Sequence, residues 1–350
     1  ISNAINDSIF PGAQIFISNR GNIILNQGFG KFSYDKNSKN VDKNTIYDVA
    51  SLTKVLATTP AIMKLYQMKR IGLDFSLNQF YSKYDLGTKK DITIKQLLLH
   101  TSGLDSYYEF YKMNDIEKRE DMIDYILSQP LVYKPETKMI YSDLGMILLL
   151  DIIEKSYGSR LDKFMYRKFY RPLGMKRTFF NPPDKYIDDI APTENDDYFR
   201  DILLKGIVHD ENAYLLNGVS GHAGLFSTAY DIGIFSKMLI NDGVLLGRRY
   251  LKKNIISKFT KRMNIPSGSD RTLGWDTPSQ NGQSSAGDYF SSNSYGHLGF
   301  TGTSLWIDPD QDIIVVLLTN RIHPTRDKKG MYKVRRDFHN ELMKIIGDSN

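Results

Sequence analysis

Strand-like segments at both ends of the chain and helix-like segments through its middle predict an α+β fold, one antiparallel sheet built from the two termini, flanked by helices, with a mostly helical portion inserted. Three observations carry this. First, the apolar runs AQIFIS and NIILNQGFG flank Asn19-Arg20-Gly21, which reads as a hairpin. Second, apolar residues recur at helical spacing over 52–68, 115–127, 143–157 and 229–239, and Gly158 closes the third of these. Third, strand-like sequence returns after Arg271, over 295–299, 304–307 and 313–318, with Asp308-Pro309-Asp310 as a turn and 331–346 as a closing helix. The expected organisation is a single domain over 1–350. Residues 1–55 and 245–350 supply the sheet and terminal helices, and 56–244 supply the helical insert. A cleft where the two parts meet is a natural place for a site.

Composition narrows the chemistry. A chain of 350 residues is long enough for a deep core, and 41% hydrophobic with 25% charged residues is ordinary for a globular protein. No run approaches the ~20 apolar residues a membrane helix needs. The net charge of +6 is spread over the surface, with clusters at 252–253, 261–262 and 333–336. No basic stripe interleaved with aromatics is present, which argues against nucleic acid and leaves a weak attraction to anionic wall polymers. The absence of cysteine excludes disulfides, thiolate catalysis and cysteine-bound metal. The opening ISNAINDS is polar and unlike a leader; it reads as the interior of a larger gene product.

Three short patterns carry chemistry. In Ser51-Leu52-Thr53-Lys54 the i, i+3 spacing puts a hydroxyl and an amine on one helix face. A serine needs a neighbouring base, and a lysine serves once its environment tunes it. Ser51 also opens a helix, where free N–H groups favour a developing oxyanion. The same spacing occurs at Ser33-Tyr34-Asp35-Lys36, but only Ser51 is followed by an amphipathic stripe. Tyr141-Ser142-Asp143 precedes an apolar helix; a tyrosine beside a lysine can shuttle a proton. His-x-Gly occurs at His222-Ala223-Gly224 and at His297-Leu298-Gly299, and only the second lies on a strand of the expected sheet. There Gly299 admits a substrate backbone, the Phe300 N–H serves as a second oxyanion donor, and His297 bonds a substrate carboxylate or carbonyl. Taken singly, these are also a capping serine with a surface lysine, a helix cap, and a turn. His209, Asp210 and His222 line the cleft or satisfy loop backbone, with a metal site less favoured. His100 reads as a buried ring under the site, and His323 and His339 as surface residues. Pro60 is expected to kink the first helix beyond Ser51 and Lys54.

Taken in this order, the three patterns resemble the serine β-lactamase and DD-peptidase superfamily. The chain is most similar to its class C branch, with D-alanyl-D-alanine carboxypeptidases, D-aminopeptidases and related carboxylesterases. The stretches PGAQIFIS, YDVASLTK, IKQLLLHTSGL, HDENAYLLNGVSGHAGLFSTAYDI and GHLGFTGTSLWIDPDQDIIVVLLTNR extend the resemblance over about residues 8 to 345. The resemblance implies a β-lactamase/transpeptidase-like fold and hydrolysis of an ester or amide through an acyl-enzyme, without a cofactor or metal. Ser51 would be the nucleophile, Lys54 would accept or relay its proton, and Tyr141 would act as base and acid. The N–H groups of Ser51 and Phe300 would form the oxyanion hole. Asp143 stands where the family usually has Asn; it would bind substrate or pair with Lys54 and keep that lysine charged, which shifts the base role toward Tyr141. His297, a switchable cation, stands where most class C β-lactamases have Lys. Both departures favour a peptidase or esterase over β-lactam turnover. The resemblance further implies a cell-wall peptide or small ester as substrate, a periplasmic or extracellular location, and fusion to or work alongside a cell-wall glycosidase. A non-catalytic module that binds penicillin or wall fragments is the alternative.

Overall fold

The computed structural model describes residues 1–280 and 284–348, so part of the long segment over 264–293 lies outside the described residues. Strands β1 (Gly12–Asn19) and β2 (Asn22–Gly30) form the expected hairpin, turning at Arg20 and Gly21 with φ of 49° and 74°. Those left-handed values are what a two-residue hairpin turn requires. From the other end of the chain come β3 (Tyr295–Leu298), β4 (Ser304–Asp308) and β5 (Ile313–Thr319). The five strands make one antiparallel sheet in the order β3-β4-β5-β1-β2, so N- and C-terminal strands meet at β1 and β5. The fold is α+β, as expected.

Both central strands are buried on two faces, which explains why IIVVLLT runs continuously apolar instead of alternating. Phe16, Val316 and Leu318 join the large core with Ile232 and Phe235, whereas Ile15, Ile17, Val315 and Leu317 join a smaller core with Met331 and Met343. Residues 50–67 form one helical run of changing pitch. It passes from a 3₁₀ turn at Ala50–Leu52 through a π-type stretch at Lys54–Thr58 into helix α1 (Thr59–Gln67). Pro60 has no N–H for the carbonyl of Leu56, and the buried Tyr170 hydroxyl donates to it instead, at 3.1 Å. Helix α2 (Asp143–Tyr157) crosses the same core, capped by the Ser142 hydroxyl and ended by Gly158 at φ 79°.

Helix α3 (Ala229–Ile240) packs on β1 and β5, and α4 (Met331–Asp348) covers the opposite face. Gly233 permits the first contact, since a Cβ there would fall 2.3 Å from the Phe16 ring. A small sheet joins Tyr47–Asp48, Leu225–Ser227 and Phe179–Phe180 and was not anticipated; its two- and three-residue strands are too short to show a period. No helix among the described residues is long and apolar enough to cross a membrane.

Candidate active site

The chain reaches Ser51 from the short strand Tyr47–Asp48 through a sharp bend. Ala50 sits at φ 46°, a region side chains disfavour, and the buried carboxylate of Asp48 holds it there by accepting the Ala50 N–H at 2.8 Å. The other Asp48 oxygen accepts the His209 N–H at 2.8 Å. Burial raises the pKa of Asp48, and these two N–H donors oppose the rise. Ser51 is thus placed by backbone geometry before any catalytic partner is considered.

Lys54 has no exposed surface. Its Nζ donates to Ser51 Oγ at 3.0 Å and to the carbonyl of His222 at 3.0 Å. It also lies 2.8 Å from Asp143 Oδ1, in an ion pair. Burial pulls the lysine pKa down, but Asp143 and Tyr141 outweigh it and the net shift is upward, so Lys54 is an ammonium. The Tyr141 hydroxyl bonds with Lys54 and Ser51. Burial, aided by Asp143, raises its pKa against the pull of Lys54, so Tyr141 holds its proton. The Tyr141 ring lies 4.7 Å from His100 and 5.9 Å from His297, with the Arg271 guanidinium 5.2 Å away. His100 accepts the Ser142 N–H through Nδ1, and burial keeps it uncharged; it is the structural ring the sequence suggested.

His297 lies on β3 and is buried, with its pKa pushed down to about 4 by burial. Its Nδ1 bonds the carbonyl of Leu298 at 2.7 Å, which fixes the neutral tautomer and leaves Nε2 as a buried acceptor without a partner among the described residues. The switchable cation expected from sequence is therefore a neutral ring at neutral pH. The close approach at Gly299 is from its own chain: a Cβ would fall 2.0 Å from Thr303 Oγ1 and 2.5 Å from the carbonyl of Val49. This contact seats the end of β3 against the residues that lead into Ser51. Phe300 is half exposed, and its ring stacks on His209 at 5.6 Å.

The three loop residues separate. His222 bonds Asp210 through Nε2 and Ser220 through Nδ1, both at 2.7 Å. Burial disfavours its charge, but Asp210 outweighs that and raises its pKa, while Asp210 itself is held well below the usual carboxylate range. His209 turns away, to Glu194 at 2.7 Å and Arg326 at 3.1 Å. One ligand atom each from Asp143, Asp210 and His222 lies within 4.8 Å of the others, a set that suits a small cation. The ammonium of Lys54 already supplies positive charge at that point.

Ser51, Tyr141, His297 and Phe300 border a cleft of ≈ 590 Å³. Its other wall carries Arg271, Arg321, Lys328 and Arg335, with Asp276 paired to Arg271. Arg335, from α4, donates to the carbonyls of Gly299 and Thr303 at 2.8 and 2.7 Å and so braces the turn after β3. Burial, and secondarily Arg321, lower its pKa to about 9. Sequence reading missed Arg335, Arg271 and Asp48, because no local pattern marks a residue that acts across the fold. It also placed His323 and His339 at the surface; both are buried, and burial lowers each to about 4.

The sequence profile described as Beta-lactamase matches residues 2–340. N-acetylmuramyl-L-alanine amidase of Bacillus subtilis is 34% identical, over 90% of this chain and 78% of that one. A putative D-alanyl-D-alanine carboxypeptidase of Salmonella gallinarum is 33% identical, over 91% and 80%. Among solved structures, EstCE1, a hydrolase with promiscuous acyltransferase activity, superposes with a TM-score of 0.75 at 20% identity, covering 97% of this chain and 96% of that one. A class C beta lactamase from Rhodobacter sphaeroides does so at 0.73 and 14% identity, covering 98% and 97%.

Proposed function

The chain belongs to the beta-lactamase family and is a serine hydrolase, and from that premise we propose that it cleaves an amide of a cell-wall peptide through an acyl-enzyme on Ser51. One observation carries the reading: the Ser51 hydroxyl lies 3.0 Å from an ammonium at the edge of a cleft whose other wall is cationic. Such a wall favours a substrate with a carboxylate near the scissile bond. Relatives named as an amidase and a carboxypeptidase support an amide over an ester. Such a substrate places the work in the cell envelope, outside the cytoplasm, where a cell-wall glycosidase is a fitting companion. The N–H groups of Ser51 and Phe300 are the oxyanion donors in this reading, with Gly299 and Arg335 holding the second in place.

The protonation states set the order of proton movement. A phenol that holds its proton cannot begin as the base, and an ammonium has no free lone pair. In this reading Asp143, paired with Lys54, is the final acceptor of the proton. In the attack, Ser51 gives a proton to Lys54 as Lys54 passes one to Asp143, and the Oγ–acyl bond forms. Collapse breaks the bond to the leaving group, which takes its proton from Tyr141; Asp143 then restores Tyr141 through Lys54. Water reverses the sequence and frees Ser51. His297 offers its bare Nε2 to a substrate N–H, not to a carbonyl.

The first test is turnover of a short-chain p-nitrophenyl ester and of a D-alanyl-D-alanine peptide. Ser51→Ala is expected to lose about a thousandfold or more in kcat. Asp143→Asn is expected to lose about a hundredfold at pH 7 with KM little changed. An unaffected Asp143→Asn would remove the relay and return the base role to Tyr141. A stable penicillin adduct with no turnover of any substrate would make the chain a binding module instead.

A further inference from the structure

The hairpin joining Val244–Leu245 to Arg248–Arg249 carries a residue that the isolated protein disfavours twice. Its two-residue turn is Leu246-Gly247, at φ 48° and 74°. The first position of such a turn favours Asn, Asp or Gly, and a leucine there is strained. Leu246 is also 94% exposed, far beyond the other exposed apolar side chains. The sister turn at Arg20 and Gly21 has the same geometry and presents an arginine.

The surroundings of Leu246 are not those of an ordinary loop tip. On one side, Leu245 and Leu246 open into a groove of ≈ 790 Å³ with Ile23, Tyr230 and Ile234 in its wall and Lys43, Lys176 and Lys237 around it. Ile23 and Tyr230 are exposed. On the other side, Arg249 begins an open groove of ≈ 1120 Å³ shared with Lys252, Lys253, Lys258, Lys261 and Arg262. Helix Lys253–Thr260 builds that groove by burying Ile255, Ile256 and Phe259 and turning its lysines outward. Among the described residues the second groove has no carboxylate in its lining, and the first has only Asp231, which is buried against Thr178. Asp242 pairs with Lys253, and Asp270 with Arg262. The like charges are felt within the fold: after burial, Lys168 and Arg248 lower the pKa of Lys64 beside this face.

We infer that this face docks onto an anionic lipid surface, with Leu246 entering the headgroup boundary and the flanking lysines and arginines meeting lipid phosphates. An apolar tip set among cations that outnumber the carboxylates paired with them has the composition of an interfacial anchor. A soluble polyanion would use the cations but gives no reason for the leucine. The inference is independent of the chemistry at Ser51, since none of these residues borders the catalytic cleft.

The test is sedimentation of the full chain with vesicles of pure phosphatidylcholine and with vesicles containing one-quarter phosphatidylglycerol. Binding is expected only to the second and is expected to weaken with salt. Leu246→Asn suits the turn better, so it should fold at least as well while its partition onto the anionic vesicles falls about tenfold. Lys252→Glu with Lys258→Glu should lower partition by about tenfold or more. Hydrolysis of a soluble ester should be unchanged in both variants. Equal sedimentation with both vesicle types would overturn the inference. So would full retention of binding in Leu246→Asn, which would assign the face to a soluble polyanion.

Discussion

Ser33 and Ser51 begin the same four-residue spacing, and their surroundings share almost nothing. Ser33 lies in the loop after β2, where its hydroxyl accepts the Asp35 N–H at 3.3 Å and its N–H bonds Ser38. Lys36 extends into solvent there. Ser51 follows a left-handed alanine, and Lys54 has no exposure and contacts Ser51, Asp143, Tyr141 and the His222 carbonyl. In water a lysine side chain keeps many rotamers. Inside the fold its proton is shared among partners in one geometry. The comparison teaches that the spacing supplies reach, and burial supplies chemistry.

The largest break in that comparison is Lys54→Met, which keeps the shape and removes the charge. It should cost about a thousandfold in kcat and, by leaving Asp143 without its cation, about 3 kcal/mol of stability in denaturant unfolding. Adding Asp143→Leu should return part of the stability and none of the activity. A double variant as inactive but no more stable than the single one would count against the ion pair as the cause.

A second contrast sets burial against solvent through pH. His297, His323 and His339 each have a folded pKa near 4, below the ordinary histidine value. The unfolded chain therefore binds more protons between the two values, and stability is full above about pH 6.5 and falls as pH drops toward 4. Asp231, raised to about 6 by burial, works the other way and offsets part of the loss. The net loss from pH 7.5 to pH 5 should be on the order of a few kcal/mol, read from denaturation midpoints. His339→Gln should flatten the slope. The smallest effect belongs to the outer pattern: Ser33→Ala and Lys36→Ala should each leave kcat within about twofold and stability within about 0.5 kcal/mol.

Much of the fold was legible because its signals are local. The β1–β2 hairpin, the apolar run of β5, α2 from its Ser142 cap to Gly158, and the helix after Ser51 are written in spacing and capping residues. The sheet that joins the two termini also followed, since strand signals occur only near the ends. Ser51, Lys54 and Tyr141 could be nominated for the same reason: each lies in a short pattern. The two His-x-Gly segments show where this stops. His297 was chosen and His222 set aside, yet both reach the site. The ring of His297 borders the cleft, while His222 offers its backbone carbonyl to Lys54 and its ring to Asp210.

The sequence by itself determined the elements, their order, and which hydroxyl and amine lie one helical turn apart, because those depend on neighbours within about four residues. Only the tertiary structure decided that Lys54 is an ammonium, that His297 is neutral, that Asp48 and Arg335 brace the two sides of Ser51, and that Leu246 stands alone in solvent among cations. Protonation and exposure depend on which distant groups displace water from around a side chain, and that is a property of packing that no local pattern contains.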